Sequence, residues 1–594
     1  MKRFCVHPRC GICCLFFTHV GQDGPNSKPF NYKLFSYFQE GVTDPLYATC
    51  EESCHHNNES ATGCHAVCLE HLAPVPAGEV IKKNYYSFEP SHSQDLARLR
   101  WLRDTLASRL TTPLLTAPEL RQRVAQYLVQ EYAASLSRTL GRTSCHAPKA
   151  VSIPFDQLHV DYEGKEYVAA LINKPGQSDP GPMPKFLFVS HDHCGIRRII
   201  AENSHFAPVI DHTPGVWWKT LRITGPKCTL ELDSDVGSLF PLDLNIGQRC
   251  KLTWIAQGMK LRNLTYINGS ENRPTRGMIS WAIPRCPSWK IRSHAFCKRW
   301  DPSPFHMDLF PYNIPGITGI SVSCNPSPVA FHVHTSNTDM SPYDPALDYS
   351  HWIYMPLDAG ETISTIWMRK RKVSDNDLAL ALTTNKQRTV LLGDQATPNS
   401  STGPWTLLDK SDGAPGRFFY DACHQGSRLL AFESAQPVEP STYLRLPEPS
   451  SPHPRSAFGE SFNWSSASVE EVTEVRLCRR QNVLQSEVVG LLFYYRNGTR
   501  ASLGQVRLDS LEPHLTVDPS RSLYLAFRYG SNGCHYVADV EMSTAPPEDA
   551  AVTWFEVSWR GTLEWWLSYM RCHVWQNGRS SLDTTQTEQR ALLL

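Results

Sequence analysis

Apolar residues follow a helical period in one part of the chain and alternate with polar residues in the rest. Between residues 93 and 136, apolar side chains recur at the spacing of helices that bury one face, and Arg98 and the arginines after it are expected elsewhere on the surface. Pro113 ends the first segment, and Pro118 suits the first turn of the second. The pattern predicts a hairpin of two helices with apolar stripes formed by Leu96, Leu99, Leu102, Leu106 and Leu110, then by Leu120, Val124, Leu128 and Leu136.

After Ser144 the chain changes to short alternating segments such as KFLFVSHDH, KLTWIA and GISVSC, which Gly, Pro and Asn separate. This texture is typical of strands and turns. A long proline-rich stretch interrupts it and is expected to separate two domains. We therefore predict an α+β multidomain protein with a Cys/His-rich zinc module (1–72), an F-box-like helical hairpin (73–145), a β-rich body of sandwich or prism type (146–434), a linker (435–456) and a C-terminal β-rich domain (457–594).

A weak internal repeat lies on either side of this linker. Residues 361–393 and 470–504 both show paired aliphatics, a second apolar segment, an Asn and a closing Gly. Each stretch predicts a β-meander with its second turn at Asn. The matched positions are Asn385 with Asn497, Arg388 with Arg500, and Gly393 with Gly504.

Charge and hydropathy narrow the range of partners. The 594 residues contain 58 Lys+Arg and 58 Asp+Glu, so no global charge favours nucleic acid. No apolar run of about 18 residues or more occurs, which predicts no membrane span. The N-terminus also lacks the apolar core of a secretory signal. These features predict an intracellular protein, cytoplasmic or nuclear.

The N-terminal segment is a dense island of cysteine and histidine. Of 19 cysteines, eight lie in the first 71 residues, together with six histidines. Cys10-x2-Cys13 can offer two thiolates from one turn, with Gly11 able to adopt a left-handed conformation. We predict a structural zinc site, whereas buried reduced thiols and a redox pair are the alternatives. The candidate ligands are Cys10, Cys13, Cys50, Cys54, Cys64, His65, Cys68 and His71.

The segment LLTAPELRQRVAQYL (114–128) resembles the opening of an F-box, although Ala117 stands where that family prefers leucine. The resemblance implies that the helices bind a Skp-type adaptor of a ubiquitin ligase and that the C-terminal region recruits a protein substrate. An ordinary amphipathic helix gives the same pattern. The positions that match the F-box are Pro118, Glu119, Leu120, Val124 and Leu128.

Two further resemblances concern the order of the segments along the chain and the internal repeat. The order of a Cys/His head, a helical hairpin and a β-rich body resembles a family of filamentous-fungal F-box-like proteins. The repeated strand pattern of residues 361–393 and 470–504 resembles the strand blocks of jacalin-like β-prism lectins, which implies a β-sheet architecture. We therefore predict a protein-interaction protein, with a lectin-like or other ligand-binding β-domain protein that binds a glycan as the alternative.

Little in the sequence points to catalysis. In SHDHCGIRR, His191 and His193 could share a metal on one face of a strand, and a metal-dependent hydrolase is the third hypothesis. Alternatively, Asp192 caps a turn before Gly195. A nucleophile elbow, a P-loop and a dinucleotide fingerprint are all absent. The sequence therefore assigns no enzyme activity.

Overall fold

The structure is a computed structural model, and it describes most of the chain. The described residues are 3–6, 9–16, 32–35, 46–49, 60–84, 86–90, 92–111, 117–142, 150–152, 155–173, 184–203, 208–223, 229–232, 245–246, 250–257, 260–268, 279–284, 292–295, 305–325, 327–336, 340–343, 351–370, 378–393, 404–422, 429–433, 446–454, 461–481, 486–530, 533–545 and 552–581.

The chain divides into two compact units, Met1–Cys286 and Pro287–Leu594. Strands dominate both units, as predicted for the region after Ser144. Within the part of the chain that the structure describes, no helix is long and apolar enough to cross a bilayer. The predicted domain boundaries remain predictions.

The first unit begins with a small sheet and a group of helices, and continues with strands. Its helices are α1 (Ala66–Leu72), α2 (Ala77–Asn84), α3 (His92–Arg109), α4 (Pro118–Tyr127) and α5 (Val129–Arg142). Its strands are β1 (Arg3–Val6), β2 (Tyr32–Phe35), β3 (Leu46–Thr49), β4 (Ser60–His65), β5 (Ala150–Ser152), β6 (Phe155–Tyr162), β7 (Lys165–Asn173), β8 (Phe186–Asp192), β9 (Gly195–Glu202), β10 (Trp217–Ile223), β11 (Thr229–Leu232), β12 (Asn245–Ile246), β13 (Cys250–Gln257), β14 (Lys260–Asn268) and β15 (Ile279–Trp281).

The second unit consists almost entirely of strands where it is described. Its strands are β16 (Arg292–Ala295), β17 (Phe305–Tyr312), β18 (Ile317–Asn325), β19 (Ser327–Thr335), β20 (His351–Pro356), β21 (Ile363–Lys370), β22 (Leu378–Thr384), β23 (Thr389–Leu392), β24 (Thr406–Lys410), β25 (Gly416–Asp421), β26 (Leu429–Phe432), β27 (Asn463–Ser468), β28 (Val472–Gln481), β29 (Ser486–Tyr495), β30 (Arg500–Gly504), β31 (Leu515–Thr516), β32 (Ser522–Tyr529), β33 (His535–Ser543), β34 (Thr553–Val557), β35 (Thr562–Leu567), β36 (Cys572–Gln576) and β37 (Arg579–Ser580). Short 3-10 turns lie at Ser341–Tyr343 and Leu508–Ser510.

The part of the first unit that contains β1–β4 and α1–α5 (residues 3–142) is called the head. In its small sheet, β1 pairs in parallel with β3 and β4, and β2 pairs with β4 in antiparallel. Its core combines cysteine side chains with aliphatic residues from α1, α2, α3 and α5. Burial of this mixed cluster, rather than of one helix pair, organises the head.

The second predicted helix divides at Leu128 into α4 and α5. Helix α5 buries Val129, Ala133 and Ala134 in the head core, whereas Leu120 and Leu128 are exposed. The expectation of one continuous stripe from Leu120 to Leu136 was therefore wrong. The break lets α5 turn its small apolar face toward the core, while Leu120 on α4 and Leu128 at its C-cap stay exposed.

Both stretches of the predicted repeat form antiparallel three-stranded meanders in the second unit. In the first, β21 pairs with β22 and β22 with β23, and in the second, β28 pairs with β29 and β29 with β30. The inward sides of these strands belong to two separate cores. One surrounds Phe310 and Phe418, and the other surrounds Phe493 and Trp565.

Candidate metal centre

Cys10 and Cys13 lie in a tight turn that hydrogen bonds hold closed. The N–H of Cys10 donates to the carbonyl of Leu15 at 2.9 Å, and the N–H of Cys14 donates to the carbonyl of Cys10 at 2.9 Å. The predicted left-handed residue was placed wrongly, because that conformation falls on Cys14, with φ of 59°. Gly11 is needed for a different reason: a Cβ atom there would lie 2.5 Å from the Thr62 side chain.

The second half of the centre comes from the junction between β4 and α1. Strand β4 ends at His65, which has extended backbone angles, and α1 begins at the next residue. His65 and Cys68 are three residues apart, so both side chains lie on one face of the first helical turn. The N–H of Gly11 donates to the carbonyl of Gly63 at 2.9 Å, which joins this half to the Cys10 turn.

The two halves bring together four buried side chains, those of Cys10, Cys13, His65 and Cys68, whose ligand atoms all lie within 4.8 Å of one another. His65 Nδ1 is 3.4 Å from Cys13 Sγ and 3.7 Å from Cys68 Sγ. A tetrahedral zinc ion with Zn–S bonds of about 2.3 Å and Zn–N bonds of about 2.0–2.1 Å separates such ligands by about 3.6 Å. The spacing therefore fits zinc with three sulfur ligands and one nitrogen ligand.

Neighbouring groups orient the sulfur atoms. The N–H groups of Ile12 and His65 each donate to Cys10 Sγ at 3.4 Å. The side-chain amide of Gln130, on α5, donates to Cys68 Sγ at 3.6 Å. Hydrogen bonds of this kind stabilise thiolates and fix the direction of metal ligands.

The electrostatics of the cluster concentrate negative charge on one sulfur. Burial raises the pKa of the Cys10 thiol, but hydrogen bonds with Cys13, Cys64 and Cys68 outweigh it and bring that pKa well below its usual range. Burial and the hydrogen bond with Cys10 raise the pKa of Cys13 well above its usual range. Such a group of thiols favours a bound cation, which neutralises several thiolates at once.

The other predicted ligands have different positions. Cys64 shares a hydrogen bond with Cys10, which raises the pKa of Cys64, but it does not belong to the four-residue group. His71 is exposed on α1. Cys50 and Cys54 lie outside the described residues. Cys14 is bonded elsewhere, because it accepts from the Asn84 amide at 3.1 Å and donates to the Asn84 carbonyl at 3.3 Å.

Two buried arginines connect the Cys10 turn to α3 and to the turn between β6 and β7. Arg98 donates to the carbonyl of Cys13 at 2.9 Å and pairs with Glu163 at 2.8 and 2.7 Å. Arg9 donates to the carbonyl of Cys14 at 3.2 Å and pairs with Asp95. The sequence prediction had placed Arg98 on the surface. Its position four residues before the buried Leu102 was the available signal that it shares the inward face.

The region around His191 and His193 is arranged as a capped turn. Asp192 Oδ1 accepts from the N–H groups of Cys194 at 2.8 Å and Gly195 at 3.1 Å, and Tyr167 donates to Oδ2 at 2.8 Å. Asp192, His193 and Cys194 do lie within 4.8 Å of one another, but His191 is not in this group.

Burial raises the pKa of Cys194, whereas His193 and Lys260 lower it, to about 7 overall. The ammonium of Lys260 lies 3.8 Å from the centre of the Tyr162 ring and 4.7 Å from that of Tyr167. This buried cation lowers the attraction of the Cys194 region for a metal ion. The four-residue centre in the head is therefore the stronger metal candidate.

A scan against protein-family models finds no match to this chain, and a search of curated proteins finds none. The resemblances to F-box-like and jacalin-like proteins therefore remain predictions. The chemistry of Cys10, Cys13, His65 and Cys68 is the basis on which the centre is assigned.

Proposed function

We propose that the chain is an intracellular, non-catalytic protein-interaction protein: a structural zinc ion holds its head, and α4 docks a Skp-type adaptor of a ubiquitin ligase. Three thiolates and one imidazole are a donor set that zinc prefers. Because four protein ligands fill a tetrahedral shell, no position is left for substrate or reactive water, and the role is structural. The ion would hold the Cys10 turn against the start of α1.

The observation that carries the docking function is the exposed apolar stripe on α4. Leu120, Tyr127 and Leu128 are 50%, 67% and 39% exposed, respectively. With the half-buried Val124 they occupy positions i, i+4, i+7 and i+8, which is one face of a helix. Exposed apolar stripes of this kind are typical of helices that bind a partner.

The alternative that α4 is an ordinary core helix has less support. Among the residues of α4, only Ala125 is buried. The core contacts of this region come instead from α5 through Val129, Ala133 and Ala134. Replacing Leu120 and Leu128 therefore tests binding rather than folding.

The test is capture of a purified Skp-type adaptor by the full chain. We expect Leu120→Asp with Leu128→Asp to abolish capture, because each charge replaces an exposed apolar contact. The matched control is Gln126→Asp with Ser135→Asp, which adds the same charge at exposed positions of α4 and α5. Capture by the double leucine variant at the level of the control would contradict the proposal, as would the absence of capture by the unaltered chain.

The hydrolase hypothesis is not favoured by the geometry at His193. Its ring is buried and packs edge-on against Tyr86, with ring centres 4.8 Å apart. Asp192, which precedes His193 in the chain, is engaged as a turn cap. The remaining alternative, ligand binding by the β-rich body, is supported by a cleft in the second unit.

A further inference from the structure

The second unit contains a cleft of about 540 Å³ that strands β23, β27 and β30 border. This volume falls within the range of about 300–1,000 Å³ that ligand sites occupy. Thr389, Ser466 and Ser502, one residue from each strand, line it. The direction of their peptide groups shows what the cleft can bind.

On β23, the peptide groups of Thr389 point away from the neighbouring strand β22. Arg388 lies in a hydrogen-bonded pair with Thr384, whose N–H donates to the carbonyl of Arg388 at 2.9 Å. In an antiparallel ladder the next residue directs its N–H and C=O to the opposite side. Thr389 therefore presents a donor and an acceptor at the edge of β23 that pairs with no described strand.

The same reasoning applies to β27. Val469 donates to the carbonyl of Gly561 at 3.0 Å, so alternate residues, including Ala467, face β35. Ser466 comes directly before Ala467 and therefore directs its peptide groups away from β35.

On β30, Tyr495 donates to the carbonyl of Thr499 at 3.0 Å, which makes Ala501 face β29. Ser502 then faces away from β29 and toward β20, where its hydroxyl donates to the carbonyl of Tyr354.

The same side of the chain is bonded just after β30, at Val506, whose N–H donates to the carbonyl of Trp352 at 3.0 Å, so β20 covers this edge. The cleft thus collects outward-directed peptide groups from β23 and β27, with β30 as its wall, and such groups are a template for another strand.

The charges around the cleft select the kind of strand. Two exposed glutamates, at 470–471, line it. Arg388 and Arg500 also line it, but Arg388 is paired with Glu361, and Arg500 Nε donates to Asp358 Oδ1 at 3.1 Å. Because each arginine already has a carboxylate partner, the charge presented to a ligand is acidic.

We propose that this cleft binds an extended basic peptide segment of a partner protein, which adds as a strand to the edges of β23 and β27. Main-chain hydrogen bonds to Thr389 and Ser466 would supply affinity, and Lys or Arg side chains would pair with residues 470–471. Val390 and Ala501, which also line the cleft, accommodate aliphatic side chains between the basic ones. The inference rests on the proposed adaptor function, for which it names the class of segment that marks a substrate.

The test measures binding of a fluorescent acetyl-Lys-Val-Lys-Val-Lys-Val-amide peptide to the full chain by fluorescence anisotropy. We expect the peptide to bind, and its affinity to fall as the salt concentration rises. At low ionic strength, Glu470→Gln with Glu471→Gln should lower the affinity roughly tenfold. Glu166→Gln with Glu541→Gln, at exposed residues of β7 and β33 outside the cleft, removes the same charge and is the matched control, which should change nothing.

A proline substitution that removes one backbone N–H tests strand addition directly. Ser466→Pro removes an N–H that points away from β35, so the β27–β35 ladder is kept, whereas Ser466→Ala keeps the N–H and loses only the hydroxyl. We expect the proline variant to lose peptide binding and the alanine variant to keep it. If the proline variant does not fold, a Lys/Val peptide N-methylated at alternate residues makes the same test on the ligand side, and it should not bind.

Three results would overturn the inference. These are equal binding of the corresponding Glu/Val peptide, equal binding of the N-methylated peptide, and displacement of the Lys/Val peptide by the disaccharide cellobiose, which would indicate a saccharide site. Adaptor capture through α4 is measured on the same cleft variants and should be unchanged. Loss of peptide binding with adaptor capture intact therefore separates this inference from the docking function.

Discussion

Replacement of Cys13 by Ser should release the metal and unfold the head. Structural zinc contributes about 10–16 kcal/mol of binding free energy in small modules, and a whole domain is stable by only about 5–15 kcal/mol. The neighbouring Ile12, Leu72 and Leu102 are fully or almost fully buried, but each contributes only about 1.5–3 kcal/mol. The loss of zinc alone therefore equals or exceeds the net stability of a whole domain, and the head should not remain folded without it.

The assay combines elemental analysis of the purified full chain with limited proteolysis. We expect one zinc ion for the centre in the unaltered chain, a strongly reduced zinc content in Cys13→Ser, and rapid cleavage within residues 60–142 of that variant. Cys14→Ser is the matched control, because Cys14 is the adjacent buried cysteine and is bonded to Asn84 rather than to the centre. A metal-free chain whose head resists protease, or equal zinc loss in both variants, would refute the reasoning.

Two further predictions concern the packing around the centre and the segment 446–454. Arg98→Ala leaves the buried Glu163 without its partner and should lower the free energy of unfolding by about 3–5 kcal/mol in denaturant titrations. Arg103→Ala, at an exposed ion pair, should lower it by less than about 1 kcal/mol. Equal effects of the two substitutions would contradict the buried position of Arg98. Segment 446–454 docks on β35 because the N–H groups of Ser450 and Ser451 donate to the Glu564 carboxylate at 3.0 and 3.1 Å. Burial raises the pKa of Glu564, but hydrogen bonds from both serines lower it below its ordinary value, so the docking is present at neutral pH and is lost as the pH falls through that lowered pKa. Glu564→Gln should weaken the docking by roughly 2–3 kcal/mol and remove this acid dependence of hydrogen exchange in 446–454; an unchanged acid response would contradict it.

Local patterns were sufficient to predict some of these features. Leucine spacing and two prolines predicted helices between residues 93 and 136, and α3, α4 and α5 lie there. The Cys10-x2-Cys13 spacing and the cluster at 64–68 contained all four residues that the structure brings together. These features depend on neighbours in the chain, which a sequence displays directly.

Features that depend on distant contacts could not be predicted. Spacing treats Cys64 and His65 alike, and only the path from β4 into α1 places His65 in the group of four. The burial of Arg98 depends on Glu163, which lies in a turn 65 residues away. The break at Leu128 carries no glycine or proline, and it follows from how α5 packs against the core.

X-ray absorption at the zinc edge of the purified full chain tests the central claim most directly. The account predicts three sulfur ligands at about 2.3 Å and one nitrogen ligand at about 2.0–2.1 Å, supplied by Cys10, Cys13, Cys68 and His65. A shell of four sulfurs would replace His65 by Cys64 and contradict the assigned ligand set. A chain that contains no zinc after purification without chelators would contradict the metal centre itself.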